Sequence, residues 1–294
     1  MGFEAAGFDT IGYEMDETYA ETYNQNLSGE CKVSFLDLET KYPEADIVIG
    51  GPPCQPWSET GKNLGEYDKR DGFPAFIKCV DRVRPRIFIA ENVKGLSFDK
   101  NRHYLDHVIS ELEALDYTVN QRMIRMSDYG VPQNRERVFI VGHRGGFSFP
   151  EKSGKVFTVM DALGMAAKYA PKGATYLTDS EDRYIQSYEE KCQLKTPRDL
   201  HLDRPARTLT CRNLSGSTSD MIRLVMPDGR RRKLRVSEAA RLQGFPDWFR
   251  FSGSDAKALN QIGQSVPPLF SYILAKSVLN YIQETDSRVA LPPM

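Results

Sequence analysis

The chain has 294 residues, about twice the ~150 of a typical domain, which leaves room for one large domain or a large and a small one. With 40% apolar and 27% charged residues it can build a real core, which excludes collagen-like, disordered and coiled-coil classes. The net charge of −1 hides a division: residues 1–50 carry two basic side chains against eleven acidic ones, and residues 204–235 carry nine Arg or Lys against Asp220 and Asp228.

In chain order, a β-type run at 10–14 precedes a helical stretch at 17–26. The apolar strand 47–50 follows, then a helix at 74–83 and a strand at 87–91. A helix at 102–115 repeats Leu105, Val108, Ile109, Leu112 and Leu115 at 3.6-type spacing, and strands follow at 119–126 and 137–141. This alternation predicts an α/β fold with a parallel sheet covered by helices. After residues 143–146 the texture changes to short β-prone pieces and turns. The expected organisation is a catalytic domain at 1–150, a smaller, mostly β or irregular recognition domain at 151–257, and a segment at 258–294. That last segment returns to the first domain through a helix bearing Leu269, Ile273, Leu274, Val278 and Ile282.

The lopsided charge of 204–235 points to a polyanionic partner for that segment. Its densest part, Arg230, Arg231, Arg232, Lys233 and Arg235, reads equally as a solvated charged turn beside Asp228 and Gly229. No apolar run approaches the ~18–20 residues of a membrane span, and the first residues lack a signal-peptide profile. A cytoplasmic protein without a membrane partner is expected. Five scattered cysteines, with no Cys-x-x-Cys or His/Cys cluster, argue against a disulfide framework and against a bound metal.

The segment DIVIGGPPCQPWS, residues 46–58, is the most telling. A buried strand runs into two glycines and then into Pro52 and Pro53, which fix the chain and present Cys54. In open α/β sheets the carboxyl ends of strands form the ligand crevice. The polar, glycine-punctuated stretch 59–72 is long enough for a lid. A second strand, RIFIAENV at 86–93, delivers Glu91 and Asn92 at its carboxyl end, and a carboxylate after four apolar residues needs a partner, a proton or a function.

These residues carry a specific resemblance. GGPPCQPWS at 50–58, ENV at 91–93 and QNRERVFIV at 133–141, with RPARTLT at 204–210 and GQSVPP at 263–268, resemble in order and separation the signature motifs of the bacterial C5-cytosine DNA methyltransferases. The resemblance implies an S-adenosylmethionine-dependent methyltransferase (Rossmann-like) sheet and methyl transfer to C5 of a flipped cytosine in a short duplex site. Cys54 would be the nucleophile at ring carbon 6 and Glu91 the group holding or protonating ring nitrogen 3. Arg135 and Arg137, two apart on one strand face, would lie at the flipped base, with Arg137 at the cytosine carbonyl. The base that removes the C5 proton is not identified. The cofactor residues implied are Glu14 for the ribose hydroxyls, Asp37 near the adenine amine, Pro53 as the adjoining wall, and Gln264. The implied product is S-adenosylhomocysteine.

The target base must leave the duplex. For DNA contacts the expected residues are Gln55, Ser58 and Lys62, with Arg70, near the lid, and Thr208. Arg212 and Asn213 have the groups to read guanine and adenine edges, and Arg230 and Arg232 to hold phosphates. The expected partners are double-stranded DNA and a cognate restriction endonuclease, and the expected state is a monomer in the cytoplasm of a bacterium or in a phage-infected cell. Family members begin with a strand and a Phe-x-Gly-x-Gly-Gly loop that cradles the donor. Here residues 1–8 match the helix that follows that loop, so the resemblance implies that the central strand lies upstream, has been removed, or comes from another chain. Two strand edges would then be unpaired and donor affinity weakened. The alternatives are an RNA (tRNA) cytosine-5 methyltransferase, disfavoured because no Cys-Phe-Thr tripeptide occurs, and a donor-binding-deficient DNA-binding subunit of a split enzyme.

Overall fold

The structure, a computed structural model, describes residues 1–53, 71–193, 198–216 and 219–289. Its elements begin with α1 (Gly2–Ala5), β1 (Ile11–Glu14), α2 (Glu17–Asn26), β2 (Glu30–Val33), β3 (Ile47–Gly50), α3 (Phe73–Val83), β4 (Ile87–Val93) and α4 (Arg102–Glu113). They continue with β5 (Thr118–Arg125), β6 (Gln133–Asn134), β7 (Glu136–His143), α5 (Val159–Leu163), α6 (Asp179–Lys191) and β8 (Ala206–Arg207). The last are α7 (Cys211–Ser215), β9 (Arg223–Val225), β10 (Arg231–Lys233), α8 (Val236–Gln243), α9 (Asp255–Gln264) and α10 (Pro268–Val289). Two compact units divide the chain: residues 1–33, 126–135 and 151–273 form one, and 34–125, 136–150 and 274–294 the other.

The second unit is built on a sheet in the order β3-β4-β7-β5. β3 runs parallel to β4, and β7 runs antiparallel to both β4 and β5. The α/β class stands, but the sheet is mixed where the alternation predicts a parallel one. No full crossover helix separates β5 from β7 in sequence, and without one the next strand can return antiparallel. Residues 87–90 of β4 are buried on both faces. Phe73, Phe76 and Val80 of α3 and Leu105, Val108 and Leu112 of α4 pack in the same core as Phe88, Val138 and Ile140. On each helix these residues recur at i, i+3 and i+7, one apolar stripe facing the sheet.

In the first unit, β1 and β2 pair in parallel around α2, whose first turn is capped by Asp16 accepting from the Thr18 amide. Among the described residues β1 pairs only with β2, and β3 of the other unit only with β4; Ile11 and Ile49 are half exposed. Region 151–257 carries more helix than its texture indicates, in α5 to α8. Its β9–β10 hairpin turns at Asp228 and Gly229, as the sequence predicts, with Gly229 at φ 84°. Val159, Leu163, Leu209, Ile222, Leu224 and Leu242 form its core. Among the described residues no helix is long and apolar enough to cross a membrane.

Candidate active site and recognition surface

Gly50 at the end of β3 stands opposite Ala90 of β4, so the chain leaving β3 passes beside Glu91. A Cβ built on Gly51 would lie 3.7 Å from Glu91 Oε2. Asn92 is buried, and its Nδ2 donates to the Pro52 carbonyl at 2.9 Å. The exposed Pro53 accepts at its carbonyl from the Gly72 amide at 2.9 Å. A Cβ on Gly72 would meet Pro53 Cδ at 2.3 Å, so a residue without a side chain is needed there. Asn92 and Gly72 thus fix both ends of the segment that contains Cys54, and neither role is announced by the sequence. Cys54, Gln55, Ser58, Lys62 and Arg70 themselves lie outside the described residues.

Glu91 meets Arg137. The guanidinium Nε lies 3.0 Å from Glu91 Oε1, and the two side chains are 12% and 16% exposed. Arg137 Nη1 also donates to the Glu136 carbonyl at 2.7 Å. Burial pushes the Arg137 pKa down and the neighbouring carboxylate pushes it back up, while an arginine stays charged throughout the range in which proteins survive. The neighbouring Glu136 carboxylate holds Lys94 and Arg125 instead, which leaves Arg137 to Glu91.

Arg135 does not share that arrangement. The strand breaks between β6 and β7 at this residue, and Arg135 is 1% exposed. Its Nη1 donates to the carbonyls of Leu209 at 2.9 Å and Gly263 at 3.1 Å, and Nη2 reaches the carbonyl of Gln264. The expectation of a place at the base gives way to a tether between two late motifs. Gln133, fully buried, works alongside it: its Oε1 accepts from the Leu209 amide at 2.8 Å and its Nε2 donates to Gln243.

Of the cofactor residues, Glu14 and Gln264 belong to the first unit and Asp37 and Pro53 to the second. Glu14 ends β1, and its Oε1 accepts from the amides of Met15 and Asp16 at 2.7 and 2.9 Å. That grip fixes the carboxylate and leaves Oε2 for hydroxyl donors, which fits a ribose. Asp37, exposed, accepts at Oδ1 from the Glu39 amide and the Thr40 hydroxyl. The Thr40 hydrogen bond holds its carboxyl below the ordinary aspartate range, so it is an acceptor at neutral pH, as an adenine amine requires. Gln264 is exposed.

The recognition residues separate in the same way. Thr208 is half-buried and donates through Oγ1 to the Asn134 carbonyl at 3.0 Å. Asn213 is 2% exposed; its Oδ1 accepts from the Thr210 amide and its Nδ2 donates to the Thr208 carbonyl. It caps α7 and has no edge left for adenine, which overturns that expectation. Arg232 is fully buried and forms a fork on Glu238 at 2.6 and 2.8 Å, so its phosphate role is overturned too. Arg230 is exposed, paired with Asp228 at 2.7 Å and stacked over Tyr176. Arg212 is exposed and makes no ion pair among the described residues.

Comparison with known proteins gives the family and the fold. The profile of the C-5 cytosine-specific DNA methylases matches residues 1–280. Type II methyltransferase M.AplI of Arthrospira platensis is 49% identical over 98% of this chain and 84% of its own length. Type II methyltransferase M.FnuDI of Fusobacterium nucleatum is 32% identical over 97% of this chain and 92% of its own length. In structure, the Entamoeba histolytica methyltransferase EhMeth is similar with a TM-score of 0.72 at 14% identity, covering 96% of this chain and 94% of that one. Spodoptera frugiperda DNMT2 is similar with a TM-score of 0.71 at 15% identity, covering 95% of each chain. At such identities these two speak for the fold alone.

Proposed function

Because the chain belongs to the family of C-5 cytosine-specific DNA methylases, we propose that Cys54 and Glu91 carry its chemistry and that Arg137 sets the state of Glu91. The chain is a DNA (cytosine-5) methyltransferase of the restriction-modification type, and its methyl donor is S-adenosylmethionine. The donor supplies an electrophilic methyl group. Carbon 5 of cytosine is too poor a nucleophile to take it unaided, so the Cys54 thiolate adds to carbon 6 and the electron pair moves toward carbon 5. Glu91 holds ring nitrogen 3, where charge develops during addition. After methyl transfer the carbon 5 proton leaves to a base, the carbon–sulfur bond breaks, and S-adenosylhomocysteine is the product. The cytosine must be swung out of the duplex for any of this to happen.

The observation that carries the reading is the Glu91–Arg137 pair beside the chain that leads to Cys54. Glu14, Asp37, Pro53 and Gln264 hold the donor in this reading. Thr208, Arg212 and Arg230, with Gln55, Ser58 and Lys62, meet the DNA. Residues 1–150, 151–257 and 258–294 serve as catalytic part, recognition part and returning segment. The protein works as a cytoplasmic monomer beside a cognate endonuclease. The test is trapping: a duplex carrying 5-fluorocytosine at the target position, given with the donor, becomes attached to Cys54, and Cys54→Ala abolishes both attachment and turnover while keeping duplex binding. Preference for tRNA over duplex DNA in a side-by-side methylation assay would refute the reading.

A further inference from the structure

Four members of the basic run that looks like a phosphate grip in the sequence, Arg230 to Lys233, are neutralised in the fold. Arg231 pairs with Asp182, Glu189 and Asp199, Arg232 with Glu238, Lys233 with Glu181, and Arg230 with Asp228. Positive charge in excess of its partners gathers elsewhere in the same unit. Arg198 and Arg207 both direct a guanidinium at one oxygen, Oδ1 of Asp220, at 3.2 and 2.7 Å. Arg212 stands near them without an ion-pair partner among the described residues. Two guanidinium groups thus share a single carboxylate, and a third stands beside them unpaired among the described residues.

A cavity of about 470 Å³ opens at this cluster, lined by Tyr184, Tyr188, Arg198, Arg212, Ser219 and Asp220. Arg198 is stacked over the Tyr188 ring, and Tyr184 is 54% exposed. The described side chains that line the cavity are hydrogen-bond donors or can act as donors, except Asp220, whose carboxylate is already engaged by two arginines. A recess of donors with unbalanced positive charge suits an anion.

We infer that this cavity holds a backbone phosphate of duplex DNA, with Arg212 as the principal contact. The inference rests on the DNA methyltransferase reading and extends it to a phosphate-anchoring point. Base edges lie on the floor of a groove and are read by elements that protrude into it. Apart from the flipped cytosine, which the proposed chemistry takes to Cys54 and Glu91, the group that protrudes from a duplex into a recess is the phosphate. Arg212 accordingly positions the DNA and does not read a guanine.

The experiment measures binding of the full chain to fluorescent duplexes of several sequences between 50 and 200 mM salt, ranges in which phosphate contacts show as salt dependence. Arg212→Gln is expected to weaken every duplex to a similar degree and to reduce the slope of log affinity against log salt by about 1. Arg212→Lys keeps the slope, and Tyr184→Phe weakens binding severalfold without changing it. An unchanged slope in Arg212→Gln, or a loss confined to duplexes carrying one particular base pair, overturns the inference. The 5-fluorocytosine trap separates the two readings. If the unaltered chain is trapped while Arg212→Gln keeps the slope, only the phosphate anchor fails. If the unaltered chain neither binds nor is trapped, both fail.

Discussion

The β3-β4-β7-β5 sheet and region 151–257 treat the same kind of ion pair in opposite ways. At the end of the sheet, Arg137 and Glu91 pair with 12% and 16% of their side chains still in contact with solvent. Within 151–257, Arg232 and Glu238 pair with 0% and 4% exposed. A pair with an open side can exchange its partner for a substrate group. A sealed pair cannot, and losing one member strands a charge in the interior. In the proposed function the first arrangement serves chemistry and the second shape, although arginine and glutamate build both.

Substitution can break or sharpen this contrast. The largest effect belongs to the sheet: Glu91→Gln is expected to lower kcat by about 10²- to 10⁴-fold, the range for a lost acid-base group. Thermal stability should change less than in the next variant. A Glu91→Gln chain that loses mainly stability would erase the distinction. Next, Glu238→Ala should destabilise the fold by about 3–5 kcal/mol in denaturant unfolding, because it leaves Arg232 buried and uncompensated. The double change Arg232→Met with Glu238→Leu should recover much of that loss.

A smaller effect is expected from pH. The Lys233 ammonium and the Thr178 amide hold the Glu181 carboxyl at about 2, below its ordinary 4.5. The stabilisation is therefore complete above about pH 4.5 and lost as the pH falls toward 2. In Lys233→Met, unfolding measured across that interval should show a weaker pH dependence. Smallest of all, Arg230→Ala should leave the thermal melt unchanged, since its partner Asp228 is on the surface and solvent screens the pair; a shifted melting temperature would count against it.

Much of the sheet is legible in the sequence because burial writes it there. Strand β3 is an unbroken apolar run ending in glycine, and α4 repeats Leu105, Val108 and Leu112 on one stripe. The direction of β7 is not legible, since a strand buried on both faces reads the same either way. Helix α6 is hidden for the opposite reason. Only Ile185 is buried along it, so no apolar period appears, but Thr178 and Glu181 form a capping box that the sequence does display. The same signature, Thr210 with Asn213, marks the cap that takes Asn213 out of base reading. Glu91 is legible as a carboxylate at a strand end. The fate of Arg135 and Arg232 is not, because it depends on acceptors, Gly263 and Glu238, that come close only on folding.

Arg135 has one more consequence. A single nitrogen of its guanidinium reaches the carbonyls of Leu209 and Gly263, the two ends of a long excursion through α7, β9, β10, α8 and α9. Closing a loop of that kind grows costlier only slowly with length, by about 0.6 kcal/mol per doubling. Insertions at the exposed Asp228-Gly229 turn, within the excursion, would therefore leave its two roots fastened where they are. Diversification of the outer surface can proceed there while the inner fastening stays the same.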